Sequence, residues 1–341
     1  MRVKTRAKQP PRVSLANTPT PLQLLKRLSN EINGPRIWVK RDDLTGSGLS
    51  GNKVRKLEFS VGEALAQGCD TLITCGGLQS NHCRATALVG ARLGLKVHLF
   101  LRGLPQGVAD GNLFLDQLAG AAFSFFPPEE YYARHNEIVA ELVDDYANEG
   151  HKAFVIPTGA SDEIGVWGYV AACEEIKRDS ERLGFTLDCI VSANGSGGTL
   201  AGLIAGNALH ELGAVVYGIN VDDDNAQFFD VKIRRDLRRW KERYGQALDV
   251  EGLPINIVDG YLGPGYGKTY PAMLDTIRRC ARTEGIILDP VYSGKAFHGM
   301  LAEIERGRFA DASDIVFIHT GGIFGLFAQR NEFEFANTNV N

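Results

Sequence analysis

From residue 37 onward, short β-branched runs alternate with longer stretches whose apolar positions recur every three or four residues. That alternation is the signature of βα units and a parallel sheet. Nine runs predict strands, at 37–40, 71–75, 97–101, 122–126, 153–156, 189–193, 215–220, 255–258 and 315–319. Between them, helical periodicity covers 56–67, 80–93, 129–149, 198–210 and 269–282. Nine strands exceed one compact βαβ unit, so the expected fold class is α/β, with two open, mostly parallel twisted sheets flanked by helices. One sheet is expected from a small domain at 55–165 and the other from a large domain made of 1–54 and 166–341.

Composition narrows the function class. A chain of 341 residues with 44% hydrophobic positions can bury a substantial core, which excludes a disordered or collagen-like protein. Lysine and arginine (37) nearly balance aspartate and glutamate (41), so no global field would hold nucleic acid or an anionic membrane, and a small molecule is the expected partner. The six cysteines include no C-x-x-C pair, which removes a zinc ribbon or thioredoxin motif; no metal site is expected, and a reduced cytoplasmic protein fits. No apolar run approaches the length of a membrane span. Arg2, Lys4, Arg6, Lys8, Arg12, Lys26 and Arg27 precede the first acid, Glu31, in faint likeness to a transit peptide, but Pro10-Pro11 interrupts any amphipathic helix there. The stretch 232–243 holds seven basic residues with a single aromatic, Trp240, among them and reads as the solvated face of a helix.

Candidate chemistry gathers in three loops. Gly195-Ser196-Gly197-Gly198-Thr199 follows a predicted strand and precedes a predicted helix, so its N–H groups would converge at a positive helix end and cradle a phosphate; a plain glycine turn is the alternative. A dinucleotide fingerprint needs glycine at 200, where Leu200 stands, although Asp222 follows the next strand as a ribose partner would; an NAD-binding oxidoreductase survives as the runner-up. Gly267-Lys268-Thr269 imitates a Walker A ending but has Leu262 at the first glycine position, and a nucleophile elbow at Ser196 fails because Asn194 stands where its glycine belongs. In Gly51-Asn52-Lys53-Val54-Arg55-Lys56, preceded by Lys40-Arg41-Asp42-Asp43, the helix dipole and Arg55 would both disfavour a proton on Lys53 and lower its pKa toward nucleophilic use. Gly76-Gly77-Leu78-Gln79-Ser80-Asn81-His82 is a polar loop at a strand's C-terminal end, where open α/β sheets bind ligands, and its amides with Ser80 would hold a carboxylate. An N-capping serine without a ligand is the other reading of that loop.

These blocks, with Leu288-Asp289-Pro290-Val291-Tyr292 and His319-Thr320-Gly321-Gly322, stand in the order and spacing of fold-type II pyridoxal-phosphate enzymes. The chain resembles the branch that holds D-cysteine desulfhydrase and 1-aminocyclopropane-1-carboxylate deaminase, over nearly its whole length from about Pro10 to Phe327. The resemblance implies pyridoxal 5′-phosphate as cofactor, a homodimer, and a site in the cleft between the two domains. It implies that Lys53 carries the cofactor as a Schiff base and later shuttles the Cα proton, that Asn81 bonds the cofactor's 3′-oxygen, and that Gly195 to Thr199 hold its phosphate. Asn52, Gln79, Ser80, Asn81, His82 and Ser293 would contact substrate, with Ser80 and nearby amides on the carboxylate, and Tyr261 and Tyr292 would line the ring and the leaving group.

Two positions divide the branch. Ring-opening members carry a glutamate where this chain has Ser293 and a leucine where it has Thr320. A carboxylate near the pyridine nitrogen would keep it protonated, whereas Thr320 only hydrogen-bonds it; ring opening needs that deeper electron sink and β-elimination does not. His82 also follows the desulfhydrase pattern. The expected activity is therefore β-elimination of D-cysteine, or a close β-substituted D-amino acid, to pyruvate, ammonia and hydrogen sulfide. 1-Aminocyclopropane-1-carboxylate deaminase and L-cysteate sulfo-lyase are the alternatives within the class.

Overall fold

The computed structural model describes residues 9–32 and 34–335; the basic residues 1–8 lie outside them. Among the described residues, ten strands form two sheets: β1 (Leu22–Leu24), β2 (Arg36–Lys40), β3 (Thr71–Gly77), β4 (Lys96–Arg102), β5 (Ala122–Phe126), β6 (Ala153–Val155), β7 (Cys189–Asn194), β8 (Val215–Asn220), β9 (Asn256–Val258) and β10 (Asp314–Ile318). The first sheet has the order β1-β2-β10-β7-β8-β9 and the second β5-β4-β3-β6. Every pairing is parallel except β1 with β2. Helices cover the faces, so β7 and β10 are buried throughout, which is why they read as continuous apolar runs. The two sheets are the architecture expected from the sequence, and β1 is an edge strand too short for its pattern to show.

All four strands of the second sheet lie between residues 71 and 155 and all six of the first lie outside that span. The boundary expected at 54/55, however, falls inside the helix Asn52–Ala66. Val54, Leu57, Val61 and Ala64 of that helix pack with the second sheet, while Phe59 packs with the first. The helix is therefore the joint between the sheets. The helix expected at 129–149 is two, Pro128–Ala133 and His135–Asn148, broken at Arg134.

A buried ion cluster rivets the joint. Arg55 bonds both oxygens of Asp42 and both of Glu175, and Lys40 bonds Glu175 and Asp179. No described helix is long and apolar enough to cross a membrane.

Candidate active site

The C-terminal ends of both sheets face one cleft of ≈ 380 Å³, the place where open α/β sheets leave room for a ligand. At its floor, β7 runs into Gly195-Ser196-Gly197 and the helix Gly198–Leu209. Gly197 takes a left-handed φ of 81°, and a side chain on Gly198 would lie 2.5 Å from Ser161 Oγ, so the loop requires its glycines. No side chain caps this helix, which leaves its first N–H groups and the positive end of its dipole facing the cleft. Thr199 Oγ1 accepts from Asn52 Nδ2 at 2.9 Å, and Ser196 Oγ lies 2.8 Å from Ser161 Oγ. Lys232 stands beside them, paired with Asp236 and donating to the Ser161 carbonyl. The basic stretch is thus not wholly a solvated face, because one of its lysines lines the cleft.

Lys53 projects from the first turn of the helix Asn52–Ala66. Its entry is a backbone crossing: Gly51 has φ 99°, a Cβ there would meet the Thr320 carbonyl at 2.7 Å, and that carbonyl accepts from Asn52 N–H. A Cβ on Gly159 would lie 2.9 Å from Lys53 Nζ, so the amine sits against bare backbone. Burial pushes Lys53 down to about 8; a hydrogen bond to the Lys56 amine opposes the shift and the charge of Lys232 adds to it. The neighbouring Arg55, expected to lower Lys53, has no such part, since its charge is spent on Asp42 and Glu175 on the other side of the helix. Lys56, fully buried beside Ser161, is pushed well below its ordinary value by burial and then by Lys53.

On the facing wall, Ser80 caps the helix Asn81–Leu93 by accepting from Cys83 N–H, and Asn81 Oδ1 accepts from Asn112. Both line the cleft. Gln79 does not: its amide bonds the backbone of Asp110 and Asn112, so it braces the loop from behind. His82 lines the cleft with a settled tautomer. Thr74 Oγ1 gives its proton to the Ile156 carbonyl at 2.7 Å, so the 2.8 Å contact with His82 must be donated by Nε2–H. Nδ1 is left as a buried acceptor without a partner, and burial with the charges of Lys53 and Lys56 keeps the ring neutral.

Besides Gln79, two expected site residues stand elsewhere. Tyr261 gives its hydroxyl proton to Glu303 at 2.5 Å and accepts from Arg306, packed on Gly299 behind the sheet. Tyr266 takes its place in the cleft, hydroxyl to hydroxyl with Tyr292, and burial pushes Tyr266 up to about 12 and Tyr292 well above its ordinary value. Ser293 is buried outside the cleft lining, its hydroxyl exchanging hydrogen bonds with Asp289 at 2.6 and 2.8 Å. Thr320 does line the cleft, so the pair expected to act together is split. Asn194, Arg102 and Asp222 line the cleft at or just after strand ends; their place after β-branched runs is the signal that would have found them. Burial raises Asp222 to about 6.

The arrangement fits pyridoxal phosphate. A glycine loop at an uncapped helix start suits its phosphate, a lysine of lowered pKa suits its aldehyde, and the Asn194 amide, buried in the lining with neither end satisfied, awaits a polar partner. Lys53, Asn81, Ser196, Thr199 and Thr320 are placed to hold it.

Similarity to known proteins agrees. Residues 13–321 match the family described as "Pyridoxal-phosphate dependent enzyme". A Thermotoga maritima protein named "Putative 1-aminocyclopropane-1-carboxylate deaminase" is 47% identical over 93% of this chain and 98% of its own. A "Bifunctional D-cysteine desulfhydrase/1-aminocyclopropane-1-carboxylate deaminase, mitochondrial" of Arabidopsis thaliana is 41% identical over 92% of this chain and 79% of its own. The crystal structure of an ACC deaminase homologue superposes with a TM-score of 0.87 at 37% identity, covering 95% of each chain. These matches replace the NAD reading, which already lacked its third glycine, and the chain belongs to the pyridoxal-phosphate-dependent enzymes of fold type II.

Proposed function

We propose that the enzyme eliminates the β-substituent of D-cysteine, or of a close β-substituted D-amino acid, yielding pyruvate, ammonia and hydrogen sulfide. The observation that carries this reading is Thr320, a hydroxyl in the cleft lining just past the end of β10, where the resemblance gives the ring-opening branch a leucine. The bound cofactor supplies an electron sink that acidifies the substrate's Cα–H and lets the β-group leave.

The chain's own groups do the rest. The amides that open the helix Asn81–Leu93, with Ser80, hold the substrate carboxylate at a positive helix end. Lys53, whose surroundings disfavour its charged form, takes the Cα proton on Nζ. Tyr292 and Tyr266 stay protonated, and of their two hydroxyl protons one serves the contact between them, which leaves the other for the departing sulfur. His82, kept neutral, lines the same cleft, and its buried Nδ1 is an acceptor without a partner.

A pyruvate-release screen over D- and L-cysteine, D-serine, β-chloro-D-alanine, cysteate and 1-aminocyclopropane-1-carboxylate tests the reading. D-Cysteine should give a higher kcat/KM than L-cysteine, D-serine and the cyclopropane substrate, and a preference for the cyclopropane substrate would replace the reading with the deaminase alternative. A homodimer is part of the same proposal; Val108, Leu118 and Phe327 are apolar side chains left exposed, and light scattering at twice the chain mass is the expected result.

A further inference from the structure

β4 ends at Arg102, in register with Gly77 at the end of β3. Its side chain therefore leaves the sheet beside the loop that leads to Ser80 and Asn81, and a Cβ on Gly77 would lie 4.0 Å from its Nη2. The guanidinium is 5.2 Å from the ring centre of Tyr132 and 5.3 Å from that of Tyr266. All three residues line the cleft, with Tyr132 62% exposed at its rim and Tyr266 inside against Tyr292. Among the described residues, no carboxylate reaches ion-pair distance of Arg102 and its guanidinium donates no hydrogen bond. Cation–π contact with two rings holds the guanidinium at the cleft while its N–H donors remain unused, the state in which arginine takes a planar or tetrahedral anion.

The other negative charges of the proposed reaction have partners already. The cofactor phosphate has the Gly195 to Thr199 loop with Lys232, and the substrate carboxylate has the helix start at Ser80 and Asn81. Asp222 and Asp224 make their own wall unfavourable to an anion. Arg102 is left as a positive group with no use assigned.

We infer that Arg102 forms a second anion subsite, which takes the β-substituent of the substrate, so that the cleft prefers amino acids whose β-group carries a negative charge, such as a sulfonate, sulfinate or thiolate, over neutral ones. It rests on the proposed reading that the substrate is a β-substituted amino acid.

Calorimetric titration of the cofactor-loaded enzyme with 3-sulfopropanoate and with 3-(methylsulfonyl)propanoate tests the subsite. The two probes match in carboxylate and closely in size, differ in the β-charge, and lack the amino group needed to react. The sulfonate should bind about tenfold tighter or better, the range of a charge-assisted hydrogen-bonded contact. Arg102→Gln should remove that ratio, and Arg102→Lys, which keeps the charge, should retain part of it. Equal binding of the two probes, a ratio that survives Arg102→Gln, or an equal loss of both probes in that variant would each overturn the inference, the last by assigning Arg102 to the α-carboxylate. Absence of pyruvate release from every β-substituted substrate would defeat the proposed function while leaving the probe ratio as measured.

Discussion

Lys53 and Arg55 stand two residues apart on one helix, and both carry their charge into the protein rather than into water. Arg55, 1% exposed, is met by Asp42 and Glu175 at 2.8 to 2.9 Å and is held well above its ordinary pKa. Lys53, on the cleft side, has no carboxylate partner among the described residues and falls to about 8. About half a helical turn thus separates a charge that holds the sheets together from an amine kept ready to react. Burial penalises both; the counter-charge decides which becomes structure and which becomes chemistry.

The largest effect should come from Lys53→Ala. Turnover should fall by at least about 10³-fold, within the usual worth of a positioned proton-transfer group, while the urea midpoint stays near that of the parent. Near-normal pyruvate release would place the reactive amine elsewhere. Arg55→Ala should do the reverse, costing about 3–5 kcal/mol of stability because Asp42 and Glu175 would be left buried without their cation. Urea unfolding followed by circular dichroism reads this, and a loss under about 1 kcal/mol would show that the cluster is not a rivet.

A smaller effect separates the two residues by pH. The neutral fraction of Lys53 grows as pH rises through its folded value of about 8, so the rate at which cofactor-free enzyme captures pyridoxal phosphate should rise about tenfold from pH 7 to its plateau. A midpoint near the ordinary lysine range, around pH 10, would mean that burial does not depress Lys53. The smallest effect concerns the tyrosines. Tyr261→Phe removes the hydroxyl that bonds Glu303 and should cost about 1–2 kcal/mol of stability with kcat within twofold, about 0.4 kcal/mol, whereas Tyr266→Phe should lower kcat. Equal losses of kcat in both variants would return Tyr261 to the site.

The outline of the fold was legible because parallel strands buried on both faces are continuous apolar runs, as in β7 and β10. β1 escaped notice because three residues at an antiparallel edge carry no period. The three glycine- and asparagine-bearing loops could be read because their chemistry is local: each joins a strand end to a helix start. Long-range pairing could not be read. Arg55 looked like a neighbour acting on Lys53, and its partner Glu175 lies 120 residues further along the chain. Choosing Tyr261 over Tyr266 depended on the path of a glycine-rich loop that no periodicity predicts. Ser293 was misplaced for a nearer reason, since Asp289, four residues before it, captures its hydroxyl and turns it from the cleft.

The most direct test of the account is to find which lysine holds the cofactor. The loaded enzyme would be reduced with borohydride, digested and sequenced by mass spectrometry. The account predicts the pyridoxyl group on Lys53; finding it instead on Lys56, the second buried amine three residues on, or on Lys232 would contradict it.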